Sequence, residues 1–257
     1  MGSHSITMSM LAGVVVIAAC SGSPASSPPA ALLARAQRGD ANAQYTLALT
    51  YFTGDGVPID FTKAATWMRR SADAGLAAAQ SDLGELYRLG LGVTVDYPQS
   101  NAWFSKAANQ GYAIAQYKLG TAYRDGQGVP LDNAVAAAWF RRAAEQGDPD
   151  AESELAIAYL NGRGIAPDHA EAVRWYERAA EHGSVEASYR LGLLYAAGDG
   201  IRSDRIAALE WLDVAASRAT GQRRQSIDVA RDHVARDATA AQIAEAQRRA
   251  DVRISRQ

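Results

Sequence analysis

Cys20 is the single cysteine of the 257-residue chain, so neither a disulfide nor a CxxC redox pair can form within it. His4, His169, His182 and His233 are the other candidate ligands or bases. None stands four residues from another, and no acidic companion recurs beside them. Their spacing therefore offers no helical metal site, and His169 and His182 are read as solvent-facing variants. There is no GxGxxG, no P-loop and no G-x-S-x-G; pairs such as Gly126 and Gly128 follow a helical pattern rather than a strand. No catalytic residue, metal or cofactor is expected. Two ladders remain. Arg70, Lys106, Arg142 and Arg178 could form an anion rail, and Trp67, Trp103, Trp139, Trp175 and Trp211 could stack sugars. The first are better explained as cations complementing helix C-termini, the second as interhelix core.

Both ladders have a step of 36 residues, and so has everything around them. Tyr51, Tyr87, Tyr123, Tyr159 and Tyr195 keep it, as do Leu47, Leu83, Leu119, Leu155 and Leu191, and Gly56, Gly92, Gly128, Gly164 and Gly200. A period of this length belongs to arrays in which one short unit buries its apolar face on its neighbours. In the unit beginning at Tyr112, Ala115, Leu119, Gly120 and Tyr123 share one helical stripe. Gly126-Gln-Gly128-Val-Pro130 then breaks the helix. Asp132 is placed to cap a second helix carrying Ala136, Trp139, Phe140, Ala143 and Ala144, which Gly147 ends. In the fourth copy Pro149 suits a first turn, and Asp168 with Glu171 reads as a capping box.

The pattern A-x-x-x-L-G-x-x-Y-x-x-G-x-G-V-x-x-D-x-x-x-A-x-x-W-x-x-x-A-A-x-x-G resembles the Sel1-like repeat, a relative of the tetratricopeptide repeat. Ala48 and Ala156 depart from it at the glycine after leucine. The resemblance implies an all-α, right-handed α-solenoid of five 36-residue helix–turn–helix repeats, and a role as a binding scaffold rather than an enzyme. Residues 31–219 would hold a half-repeat cap and the five repeats. After Ala219 the register is expected to fail, leaving 220–257 as capping helices, one presenting Ile227, Ala230 and Val234, the other opened by Thr239 and Gln242.

By similarity to tetratricopeptide arrays, the face of each first helix beside the Leu/Tyr stripe would line a concave groove. Its variable positions include Glu85 and Ser81. Tyr45, Arg88, Tyr117, Arg124 and Tyr189 are the candidate partner-binding residues, since Tyr and Arg are the commonest interface anchors. The expected partner is another protein or peptide, and the expected state is a monomer. With 26 Lys+Arg against 28 Asp+Glu, a net charge of −2, nothing points to nucleic acid.

Residues 11–19, LAGVVVIAA, are apolar but too short to span a bilayer, and lead into Ile17-Ala18-Ala19-Cys20. This resembles a bacterial lipoprotein signal peptide occupying 1–20. The resemblance implies acylation of Cys20 and, with Ser21 following, an outer-membrane anchor facing the periplasm; the stretch before it lacks the usual Lys or Arg. Residues 21–30 form a Ser/Pro-rich tether. The expected function is an envelope scaffold or adaptor. The alternative is a periplasmic immunity protein neutralising a secreted toxin, such as a type VI secretion effector; a hydrolase acting on β-lactams or cell wall is less favoured.

Overall fold

The structure is a computed structural model that describes residues 27–255, and among these it holds thirteen α-helices and no strand. Cys20 and the apolar stretch before it lie outside the described residues. The chain divides into two compact units, the first ending at Asp132 and the second beginning at Asn133. The first contains α1 (Ala30–Gln37), α2 (Ala41–Thr53), α3 (Phe61–Asp73), α4 (Ala77–Leu89), α5 (Tyr97–Asn109) and α6 (Ala113–Asp125). The second contains α7 (Asn133–Ala144), α8 (Pro149–Asn161), α9 (His169–Glu181), α10 (Val185–Ala197), α11 (Arg205–Arg218), α12 (Gly221–Ala235) and α13 (Ala240–Ser255). Within each unit every helix packs on the next in sequence up to α12, and α11 also packs on α13. This is the all-α solenoid class.

The leucine ladder is the core: Leu47, Leu83, Leu155 and Leu191 are fully buried. The small residue after each leucine lets the paired helix come close. A Cβ on Gly84 would lie 2.7 Å from Phe104 of α5, and one on Gly192 would lie 2.6 Å from Leu212 of α11. Ala48 is tolerated in the first repeat because the facing position holds Met68, and both are fully buried.

Asp60, Asp96 and Asp168 cap α3, α5 and α9, accepting from the N–H three residues on at 2.9, 2.9 and 3.0 Å. Their own N–H groups bond the carbonyls of Tyr51, Tyr87 and Tyr159, closing each turn at 2.9–3.0 Å. Gly92, with φ of 72°, lies so close to the start of α3 that an added Cβ would fall 1.9 Å from the Phe61 carbonyl oxygen. Gly56 has the same conformation but nothing within 4 Å, because the half-repeat before it lacks that helix start.

One local expectation changes. Glu171 does not complete a capping box; its carboxylate pairs with Arg174 instead. After Ala219 the marker residues of the repeat are gone, as expected, but some of its contacts persist. Ile227 of α12 stands 36 residues after Leu191 and is fully buried. Arg224 bonds the Ala216 carbonyl as Gln116 bonds that of Ala108, and Arg231 pairs with Asp213 as Tyr195 pairs with Glu177. Thus α12, a capping helix, keeps several contacts of a first helix, with charged residues in place of the Gln and Tyr. The Thr239–Gln242 box does form before α13, in both directions, at 2.9 and 3.2 Å.

Candidate interaction site on the first helices

The face predicted to line a groove is half-buried rather than open, and Glu85 and Ser81 on it are buried outright, at 3% and 1% exposure. The cause is the neighbouring first helix. Tyr45 of α2 donates its hydroxyl to Asp82 of α4 at 2.7 Å, and Lys118 of α6 reaches Glu85 of α4 at 2.5 Å. Burial, with the Asp82 carboxylate beside it, holds the Tyr45 phenol far above its ordinary pKa. Tyr45 therefore ties two repeats together as well as standing on the predicted face.

Arg88 places its Nε 2.5 Å from Glu85, so that one buried carboxylate is clasped by Arg88 and Lys118. Arg88 and Tyr117 are brought to a single cavity of about 250 Å³, walled mainly by α5 and α6 and including Ser100, Asn101, Phe104 and Asp125. Arg124, one turn beyond Thr121, makes a two-pronged pair with Asp125 at 2.8 and 2.9 Å, and that pairing lowers the Asp125 pKa. In the second unit Tyr189 lies under the Arg223 guanidinium of α12, 4.3 Å from its ring centre, and Arg223 also bonds Glu186. Tyr189 is thus partly covered by α12.

The cation ladder acquires a use that dipole arguments miss. Arg70, Lys106, Arg142 and Arg178 each sit over the tryptophan three residues before them, at 4.5, 3.7, 4.5 and 4.5 Å from its ring. Trp103 and Trp211 are core, at 5% and 2% exposure, whereas Trp67, Trp139 and Trp175 are half-buried with a charge laid on them. The i, i+3 spacing was visible in the sequence and is the signal that identifies the stack.

A further set of residues keeps the period. Gln44, Gln80 and Gln116 donate to the carbonyls of Ala36, Ala72 and Ala108 at 3.1, 3.0 and 3.1 Å, capping the end of each preceding second helix. The fourth repeat carries Glu152 there, which cannot donate. Arg178 caps Ala144 instead at 3.1 Å, and the fully buried Glu152 is met by Arg178 at 3.2 Å and by His182 Nδ1 at 2.8 Å. His182 is therefore a structural partner, not a purely solvent-facing variant. His169 is likewise packed: a Cβ on Gly200 would fall 1.8 Å from its Nδ1.

Among the described residues no group of three or more His, Cys, Asp or Glu could hold a metal, and no helix is long and apolar enough to cross a membrane. The repeating residues are explained by packing, capping and turns, and the variation falls on the first helices.

The Sel1 repeat profile matches five consecutive segments, 41–76, 77–112, 113–148, 149–184 and 185–219. The chain belongs to the Sel1 repeat family. A Sel1 repeat protein from Oxalobacter formigenes is 32% identical, with a TM-score of 0.71 over 76% of this chain and 81% of that one. The protective antigen c5321 of uropathogenic Escherichia coli, described as an SLR fold, is 27% identical with a TM-score of 0.55; the match covers 87% of this chain but 55% of that one. The immunity protein Pa5087 of Pseudomonas aeruginosa is 21% identical, covering 80% and 73% of the two chains, with a TM-score of 0.43, too distant to bear on function. Among curated proteins there is no match. A Sel1 array is a scaffold suited to protein–protein interaction, since its core is buried between units and its outward helix faces are left to vary.

Proposed function

We propose that this Sel1 repeat protein is a non-enzymatic scaffold or adaptor of the bacterial cell envelope. It binds another protein or peptide through the first-helix face around α4 and α6, and acylation of Cys20 holds it at the outer membrane on the periplasmic side. The observation that carries the binding assignment is the convergence of Arg88 and Tyr117 on one cavity beside the Glu85–Lys118 pair. Around it, the residues that recur with the period are committed to packing, so the varied charged and aromatic groups are what a partner can read. The anchor rests on the resemblance of residues 11–20 to a lipoprotein signal.

Affinity capture from detergent-solubilised envelope, read by mass spectrometry, tests the binding. Replacing Arg88 and Arg124 together by Ala is expected to reduce recovery of the partner, because an anchoring Arg accounts for roughly 2 kcal/mol. Recovery equal to wild type would move the interface off this face. Cys20→Ser is expected to release the protein from the membrane fraction; a wild-type protein already soluble would remove the anchor from the account.

A further inference from the structure

We propose that the cavity between α5 and α6 is a subsite for the side-chain carboxylate of an acidic peptide segment. The inference rests on the reading that this face binds a peptide, and it names the chemistry of what enters. The floor is Phe104, 2% exposed, so a group entering the cavity leaves bulk water behind. On the wall stands Ser100, only 1% exposed, whose hydroxyl has no hydrogen-bond partner among the described residues. A buried helical hydroxyl ordinarily returns to the carbonyl four residues back, as Thr121 does to Tyr117 at 3.0 Å. The Ser100 hydroxyl instead meets the cavity, where it can donate to a ligand acceptor.

The charges agree in sign. Arg88 and Lys118 both face the cavity and share one carboxylate, Glu85, at 2.5 Å each. Arg88 uses only its Nε there, and its two terminal nitrogens have no hydrogen bond among the described residues. Asp125, the acidic residue of the lining itself, is matched by the paired Arg124. Two cations against one buried anion leave a net positive charge at the mouth. Glu85 also fixes both cations before any ligand arrives, so a second carboxylate meets preset donors from Arg88, Lys118 and Ser100. A cationic side chain would be repelled, and an apolar one would strand those donors. About 250 Å³ is room for one Glu-sized side chain and not for a folded element, so the rest of the segment must lie along the first-helix face.

The test is fluorescence anisotropy of the full-length protein with a fluorescein-labelled peptide of alternating Ser and Glu, compared with the same peptide carrying Gln for Glu. The Gln peptide is expected to bind about tenfold more weakly. Arg88→Gln should weaken the Glu peptide by about tenfold and leave the Gln peptide nearly unchanged, and Ser100→Ala should weaken it severalfold at unaltered melting temperature. Equal binding of the two peptides, no detectable binding of either, or indifference to both substitutions would overturn the subsite. Free glutamate competing as well as the peptide would overturn the peptide as its source. If envelope capture still depends on Arg88 and Arg124 while the peptides show no preference, the scaffold reading stands and the acidic subsite falls.

Discussion

The guanidinium of Arg253 in α13 lies 4.2 Å from the ring centre of Trp211 in α11, taking the place that the residue three after the tryptophan takes in the first four repeats. In the fifth repeat that residue is Val214, which has no charge to offer. The cation therefore comes from 42 positions away instead of three, and it also pairs with the nearly buried Glu210. The end of the array is closed by the same contact that recurs inside it.

Arg253→Ala removes a stack on a buried ring and the closest partner of a buried carboxylate. We expect it to destabilise the second unit by about 2–4 kcal/mol, against about 0.5–1 kcal/mol for Arg70→Ala, whose stack on Trp67 is more exposed. Urea unfolding checks the order of the two values.

The tryptophans are not equivalent, and their replacement should show it. Trp103→Ala empties a site that is 5% exposed and should cost about 3–5 kcal/mol, whereas Trp67→Ala, half-buried beside the short α1, should cost clearly less. Thermal unfolding monitored by circular dichroism distinguishes them; equal losses would mean that burial does not set their contribution.

Gly92 and Gly56 share a left-handed backbone but not a setting. Gly56→Ala should cost about 1–2 kcal/mol, the left-handed penalty alone. Gly92→Ala must also push the start of α3 away from the turn, so the loss should be larger. Denaturant midpoints of the two variants measure the difference.

Asp60 caps α3, and its carboxyl is held below its ordinary pKa of 3.8, first by the Lys63 N–H and then by the Lys63 side chain. A lowered folded pKa means stability that is present above 3.8 and lost as the pH falls through the folded value. Asp60→Ala should therefore melt lower than wild type at pH 7, and the gap should narrow in acid below about pH 4. A gap independent of pH would assign the effect to helix propensity.

Much of the fold is legible in the sequence because period and local chemistry agree: the leucines and turn glycines each satisfy one requirement five times over, and Asp60, Asp96, Asp168 and Asp204 cap their helices. The candidate site is less legible, because face assignment within a repeat does not say how far the next helix covers it. Glu85 sits at a variable position yet is buried, since Lys118 and Arg88 close on it. The repeat-like contacts of α12 are illegible for a related reason: Arg224 and Arg231 preserve contacts while abandoning the residue types that mark the repeat.

Photo-crosslinking in the native envelope shows whether the first helices hold the partner. Benzoylphenylalanine in place of Tyr117 on the first-helix face is compared with the same group in place of Thr66, exposed on α3. A discrete crosslinked partner is expected from position 117 and none from position 66. A partner crosslinked from 66 and not from 117 would contradict the assignment of binding to the first helices.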